Sequence, residues 1–511
     1  MDNLNARTDP SLLVRNTTLN LSAEVFVTVV LIVTVPLLVH WLGVAPFGLY
    51  SLAFALIGYL SYLDLGVSRA ATQFVSASFA RNDSTSIRRI VHSATLVNLV
   101  IGLGCSLTVF LLAPLLMQRV FQITPALEHE AKLVFYAVAL GVPVYLLQSV
   151  FRAILASYQR FGVISIVNSI SISSQLLCAL FLAWRGFGVG IVVFSSVVVR
   201  FAAVGAYVGF LVRLIPHLLG RLELNRHDFG VLFHFGWWVT VSQLILQMLV
   251  YLDRFLLASL LSLDAVTLYS VPYEGITRLR VIPSSVLATL YPAMSELSHP
   301  SSRERLQVFY ESSIRYLLLL LVPAASFVLV FGGDLLTLWM GATFALKASV
   351  VLQVLAAGLL FYLLASVPYS LIQALRKPEL MGRFHLAISP AYIAASAILI
   401  LRWGIAGAAL AATLRFIVDA AVLFWIAQKY CGCPVNSIWT RKFSMLVLFG
   451  LLLTASFLTD FWLAPALITR LLLAAVAVIA YFLAAWRYTL SAGEKPAIVR
   501  AFNLFNRQAT V

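Results

Sequence analysis

Apolar stretches of about twenty residues, each closed off by a short polar segment, follow one another along almost the whole chain. A helix needs about 20 apolar residues to cross the hydrocarbon of a bilayer. Fourteen stretches of that kind can be read, centred near Val30, Leu56, Leu103, Gly141, Ser173, Val199, Ile245, Arg278, Leu320, Leu360, Ala394, Leu414, Leu452 and Ala477. The pattern predicts an all-α polytopic membrane protein. About eighteen mostly polar residues precede the first stretch, which runs from near Leu19 to Leu42 with no small-residue cleavage site after it. It is therefore expected to stay as an anchor, not to be removed as a signal peptide. The longest cytoplasmic connection, Arg213 to about Gly230, is too short to fold alone. The protein's work is expected inside the membrane or across it.

The pattern also repeats. Residues 139–150, Ala-Leu-Gly-Val-Pro-Val-Tyr-Leu-Leu-Gln-Ser-Val, return at 356–367 as Ala-Ala-Gly-Leu-Leu-Phe-Tyr-Leu-Leu-Ala-Ser-Val. At a similar offset Tyr50-Ser51 falls on Tyr269-Ser270, the polar loop Arg81 to Arg88 on Pro300 to Gln307, and Arg200-Phe201 on Arg415-Phe416. A unit recurring at a fixed period points to duplicated architecture. Each copy holds six spans, an even number, so both enter the membrane from the same side. Two parallel six-helix bundles around a central cavity are expected, the first over 12–212 and the second over 230–429, with 213–229 as cytoplasmic linker. The interface of such repeats is where a transporter keeps its substrate site. Spans thirteen and fourteen, 443–488, have no counterpart in either copy and form an appended pair. Prolines within spans, among them Pro36, Pro143, Pro272, Pro323 and Pro390, suit either a moving bundle or static packing kinks.

Composition narrows the class. The chain is 61% hydrophobic and 11% charged over 511 residues, whereas a soluble domain is about a quarter charged. Of its 35 Lys and Arg, twenty-one fall in loops on the N-terminal side and six in the opposite loops. By the positive-inside rule both termini are cytoplasmic. The net charge of +15 is accounted for by topology and contact with membrane lipids, and no nucleic-acid partner is expected. Four cysteines give no disulfide framework, and Cys431-Gly-Cys433 lacks the further ligands of a metal site. Neither metal nor cofactor is expected.

Eight arginines remain within or at the edge of spans: Arg69, Arg152, Arg200, Arg254, Arg278, Arg280, Arg315 and Arg415. A guanidinium near the bilayer centre costs about 2.5–3.5 kcal/mol on insertion scales, so it should face protein or a wet cavity. Arg200, Arg278, Arg280 and Arg415 lie near the middle of spans six, eight and twelve and are the candidate substrate-binding residues. Glu274 and Arg278 are four apart, as are Arg415 and Asp419, so structural ion pairing competes with ligand binding there. Arg200 and Arg280 have no such neighbour. Glu24, Asp64 and Asp253 are open to two readings, ion coupling or a structural role at a helix end. Arg69, Arg152 and Arg315 are close enough to the cytoplasmic face to reach headgroups. A guanidinium fork matches anionic oxygens in pairs, so a cavity with surplus arginine selects anions.

Three stretches carry a resemblance. Gly43-Val-Ala-Pro-Phe-Gly-Leu-Tyr-Ser followed by Tyr62-Leu-Asp-Leu-Gly-Val-Ser-Arg-Ala is one. Tyr251-Leu-Asp-Arg-Phe, Leu268-Tyr-Ser-Val-Pro and Tyr291-Pro-Ala-Met-Ser form the second, and Tyr158-Gln-Arg-Phe the third. Over about residues 12–430 the chain resembles bacterial polysaccharide transporters of the oligosaccharide-lipid flippase family. The resemblance implies the multidrug, oligosaccharidyl-lipid and polysaccharide exporter fold, two six-helix bundles around a cavity open alternately to either side. It implies a polyprenyl-diphosphate-linked glycan as substrate, moved to the outer leaflet of the bacterial inner membrane without covalent chemistry. Polysaccharide polymerase and glycosyltransferases of the same pathway are the protein partners it suggests. Two other readings stay open. A cation-coupled drug or metabolite exporter of the same superfamily would need an acidic cavity without central arginines. A membrane-embedded polymerase or glycosyltransferase would need carboxylates or metal ligands on large loops.

Overall fold

A computed structural model describes residues 10–81, 83–215, 218, 244–281, 283, 294, 303–375, 379–431, 441–463 and 467–489, with the side chains of some helix-end residues, among them 10–21 and 430–431, outside that description. Most of the 213–229 linker, the Tyr291 motif apart from Met294, Cys433 and the Cys431 side chain lie outside the described residues.

All described elements are helical: α1 Pro10–Leu42, α2 Val44–Leu60, α3 Val67–Ala80, α4 Ser84–Leu115, α5 Glu128–Ser157, α6 Phe161–Trp184, α7 Val189–Leu214, α8 over 244–260, α9 Leu263–Thr277, α10 Arg303–Met340, α11 Ala342–Leu364, α12 Ser366–Ala374, α13 Glu379–Cys431, α14 Arg441–Leu463 and α15 Leu467–Tyr488. Each of the fourteen expected centres falls on helix or, at Arg278, on the tighter turn Arg278–Arg280 that continues α9. Ten helices among the described residues are long and apolar enough to cross a membrane. The protein is a multi-pass membrane protein.

Local sequence explains where these helices start and bend. α1 is described from Pro10, ahead of the apolar stretch, because polar residues can continue a helix outside the bilayer. α4 starts at Ser84 with Asp83 as its cap, whose Oδ1 accepts from the Ser86 N–H at 2.9 Å and the Thr85 hydroxyl at 2.7 Å. α13 runs 53 residues, about 80 Å at 1.5 Å per residue and far more than one bilayer. It is two limbs folded at Gly404, whose φ of 59° and ψ of −135° belong to glycine alone. Spans eleven and twelve are these limbs.

The second span is broken. α2 ends at Leu60 and α3 starts at Val67, with Leu65 at φ 50° and Gly66 at φ 70° between them. Asp64 holds the break: its Oδ1 accepts from the Gly66 N–H at 3.0 Å, and its carbonyl accepts from the Val67 N–H at 3.0 Å. Among the described residues, Leu65 and Gln159 are the non-glycine residues with positive φ. A left-handed backbone at a residue with a Cβ costs roughly 1–2 kcal/mol, and both positions fall inside the stretches that carry the resemblance.

Packing gathers the chain into two compact units, 1–275 with 379–411, and 276–378 with 412–511. The first thus holds the spans of the first repeat together with α8, nearly all of α9 and the first limb of α13. Part of its core joins α3, α4, α5 and α7 through Ala71, Ala94, Val150, Ile154, Tyr207 and Leu211. Small residues let those backbones approach, as membrane helices require. In the second unit the appended α14 docks on α10. Phe457 meets Phe327 and Phe331, the Ser326 and Thr454 hydroxyls bond at 2.8 Å, and Gly450 leaves room for Val322. Arg470 of α15 reaches Asp334 of α10 at 3.3 Å. Large apolar side chains cover the outside, Leu346 being 85% exposed, as a surface solvated by lipid demands.

Candidate functional site

The first unit contains two adjoining chambers. One, of about 360 Å³, is bounded by Leu31, Val35 and Leu38 of α1 and Phe47, Tyr50 and Phe54 of α2, and extends to Arg254, Ser270 and Glu274. Aliphatic and aromatic groups dominate its wall. The other, of about 500 Å³, is bounded by Asp64, Arg69, Gln148, Ser149, Arg152 and Asn168, and is the more polar of the two, polar and apolar groups sharing its wall about equally. Both share Gly58, Tyr145, Ile172, Arg200 and Tyr251. The apolar and polar chambers therefore meet at Arg200.

Arg200 is presented by α7 and held by α5. Its Nη1 donates to Gln148 Oε1 at 3.0 Å, and its guanidinium lies 4.7 Å from the centroid of the Tyr145 ring. That leaves the Arg200 Nε–H, and the Gln148 amide nitrogen beside it, without a hydrogen-bond partner among the described residues. Buried donors are rarely left unmade because each costs about 1–3 kcal/mol. A ring face and a neutral amide orient this cation without neutralising it.

Arg254, at the far side of the apolar chamber, is different. Its Nε donates to Ser270 Oγ at 3.1 Å and its Nη2 meets Glu274 Oε1 at 2.6 Å, while Tyr251 and Tyr273 flank it at 5.8 and 5.3 Å. Neighbouring Asp253 is 1% exposed and points elsewhere, accepting from the Tyr269 hydroxyl at 2.6 Å and the Tyr392 hydroxyl at 2.8 Å. Two phenols from α9 and the first limb of α13 thus satisfy a carboxylate that would be prohibitively costly alone.

Gly58 stands where the chambers join. A Cβ built there would stand 2.4 Å from the Tyr251 hydroxyl, so the bare backbone leaves room for the end of the Tyr251 ring.

Of the four arginines expected at the site, Arg200 lies on these chambers. Arg278, half-buried, and Arg280, exposed, sit on the turn after α9 in the second unit. Arg280 lies 5.4 Å from the Tyr362 ring. Arg415, 6% exposed, sits on the second limb of α13, 5.1 Å from the Phe416 ring, with half-buried Asp419 four residues on. Among the carboxylates, Glu274 and Asp64 line the chambers, Asp253 is enclosed, and Glu24 is exposed on α1. Arg69 and Arg152, read from sequence as headgroup contacts, line the polar chamber with Arg200. A signal existed for Arg152: Tyr145, Ser149 and Arg152 recur at helical spacing along one face of α5. Nothing local pointed to the Arg254–Glu274 pair, whose members lie on different helices.

Comparison with known proteins agrees with this architecture. Residues 13–298 match the family described as polysaccharide biosynthesis protein. A Shigella flexneri protein assigned as an O-antigen transporter is 28% identical over 432 residues, covering 83% of this chain and all of that one. Among solved structures, the lipid II flippase MurJ in an inward closed conformation has a TM-score of 0.66 at 12% identity, covering 86% of this chain and 97% of that one. An inward-facing multidrug transporter of the MATE family has a TM-score of 0.65 at 13% identity, covering 82% and 99%. These named relatives are transporters and a flippase, not enzymes. With more than half of its length inside the matched region, the chain belongs to the polysaccharide biosynthesis protein family.

Proposed function

We propose that the protein is a flippase that carries a polyprenyl-diphosphate-linked oligosaccharide, a precursor of surface polysaccharide, O-antigen or exopolysaccharide, from the cytoplasmic to the outer leaflet of the bacterial inner membrane. The observation behind this reading is the Arg200 junction. A cation that keeps a spare donor stands where an apolar chamber meets a polar one. A lipid diphosphate is the ligand class with that order of parts: hydrocarbon, anion, then sugar. Charge-assisted hydrogen bonds from guanidinium to phosphate oxygen are strong and directional.

No bond is made or broken in the proposed cycle. The repeat halves 12–212 and 230–429 rock against each other, with 443–488 carried along, and the chamber opens to each leaflet in turn. Both termini stay in the cytoplasm throughout. Affinity for the head must be similar in both states, or the lipid would lock one of them. In the second unit Arg280, exposed on the Tyr362 ring, is the next guanidinium to test, ahead of Arg278 and Arg415. An acidic drug-exporter cavity fits less well, because Arg69, Arg152, Arg200 and Arg254 outnumber Asp64 and Glu274 on the chamber walls.

The test is genetic and chemical together. In a strain lacking the gene, a lipid-linked glycan should accumulate on the inner leaflet and be cleared by the wild-type gene. Arg200→Gln, expressed to the same level, should fail to clear it. Clearance by Arg200→Gln and by the Arg200→Gln/Arg280→Gln double variant would remove the arginines from the reading. Absence of any accumulated lipid-linked glycan would overturn the function itself.

A further inference from the structure

The polar chamber holds more positive charge than one diphosphate junction requires. Arg69, Arg152 and Arg200 line it with a single carboxylate, Asp64, and one oxygen of Asp64 is engaged by the Gly66 N–H in the break of span two. Among the described residues Arg69 and Arg152 have no ion-pair partner. Their positions are fixed by the backbone that carries them. Ser68, next to Arg69, bonds Ser149 of α5 at 3.0 Å, and Thr72 donates to the Ala153 carbonyl at 3.1 Å. These two contacts lock α3 against α5, so Arg69 and Arg152 stay on the same chamber.

The order along the site gives these two arginines their role. Hydrocarbon side chains lie on one side of Arg200 and the polar chamber on the other. Arg152 is one helical turn, about 6 Å at 1.5 Å per residue, beyond Gln148, which holds Arg200. A lipid whose phosphates sit at Arg200 with its chain toward α1 and α2 places its sugars among Arg69, Ser149, Arg152 and Asn168. Neutral sugars are met by amides and hydroxyls, such as those of Ser149 and Asn168. Two further unpaired guanidiniums instead match carboxylates, in the fork geometry that suits two anionic oxygens.

Resting on the flippase reading, we infer that the polar chamber is a subsite for an acidic glycan, in which Arg69 and Arg152 bind the carboxylate of a uronic acid or a comparable anionic sugar. They select the glycan, whereas Arg200 takes the diphosphate that every such lipid carries.

The experiment uses full-length protein in lipid nanodiscs and three probes: undecaprenyl diphosphate, tetragalacturonate and maltotetraose. Wild type should bind tetragalacturonate at least tenfold more tightly than maltotetraose. Arg69→Gln/Arg152→Gln should lose at least tenfold for tetragalacturonate while its affinity for undecaprenyl diphosphate falls less than threefold. Arg69→Lys/Arg152→Lys, which keeps the charge, should retain part of the preference. Equal binding of the acidic and neutral tetrasaccharides to wild type overturns the inference whether or not the variants fold. Loss of undecaprenyl diphosphate binding in the glutamine variant as large as in Arg200→Gln also overturns it, and assigns these arginines to the diphosphate. Failure of wild type to bind undecaprenyl diphosphate counts instead against the flippase reading.

Discussion

Arg200 and Arg254 line the same chamber of the same unit, yet they are satisfied in opposite ways. Arg254 is 5% exposed and clasped by Glu274, Ser270 and two aromatic rings. Arg200 has one neutral amide, one ring face and a spare Nε–H. Both pay for desolvation, but only Arg254 recovers the cost within the protein. On the flippase reading proposed above, the pair separates structural charge from working charge: a cation matched by an acid holds helices together, and one left unmatched is available to an anion.

Substitutions at the two residues should therefore fail in different assays. The largest expected effect is on ligand binding. Arg200→Gln removes the charge-assisted bonds to phosphate, each worth about 1.5–3 kcal/mol, so affinity for undecaprenyl diphosphate should fall by about a hundredfold in a nanodisc titration. Its melting temperature should hardly move, because no acid loses a partner. Next is Glu274→Gln, which strands a buried guanidinium. Removing one partner of a fully buried pair costs about 3–5 kcal/mol. With the Glu274 side chain 41% exposed, solvent screening lowers the expected loss of stability to about 2 kcal/mol, read by thermal melting in detergent. Should Arg200→Gln melt lower than Glu274→Gln, the two arginines have been assigned the wrong way round.

Smaller effects sharpen the geometry around them. Gly58→Ala forces the Tyr251 ring away from the junction and should cost about 1 kcal/mol, toward the low end for overpacking because the obstructing atoms are the end of one side chain. The same melting assay reads it, and a neutral or stabilising result would show that the Tyr251 ring does not stand against Gly58 as described. The smallest effect concerns the cap of α4. Hydrogen bonds from the Ser86 N–H and the Thr85 hydroxyl hold the Asp83 carboxyl below its ordinary value of 3.8. A depressed value means the cap's contribution is present above pH 3.8 and is lost as pH falls through the lowered value. Hydrogen exchange at the Ser86 amide should speed up only in that acidic range, and Asp83→Ala should abolish the dependence.

The helices were readable from the sequence because lipid leaves the backbone few alternatives. With no water to satisfy peptide groups, an apolar stretch of the right length must be helical, and each of the fourteen centres lies accordingly. Arg200 could also be singled out, since its distance along span six put it near mid-depth and it lacked an acid four residues away, and it lines both chambers. What remained hidden depends on which way a helix faces. Glu274 has Arg278 one turn along, but its Oε1 is held by Arg254, twenty residues back on another helix. Arg69 and Arg152 were read by depth alone and assigned to headgroups, whereas the break at Asp64-Leu65-Gly66 re-aims α3 and brings Arg69 onto the polar chamber. The same limit applies to Asp253, whose two tyrosine partners come from α9 and from a limb 139 residues further on.

The proposed function requires that an unneutralised guanidinium at the junction of two chambers hold an anionic lipid head. The direct measurement is the affinity of undecaprenyl diphosphate for wild type and Arg200→Gln in nanodiscs, with thermal melting of both in the same preparation. Affinity reduced at least tenfold with melting unchanged is the predicted result. Equal affinity in two equally stable proteins would contradict it.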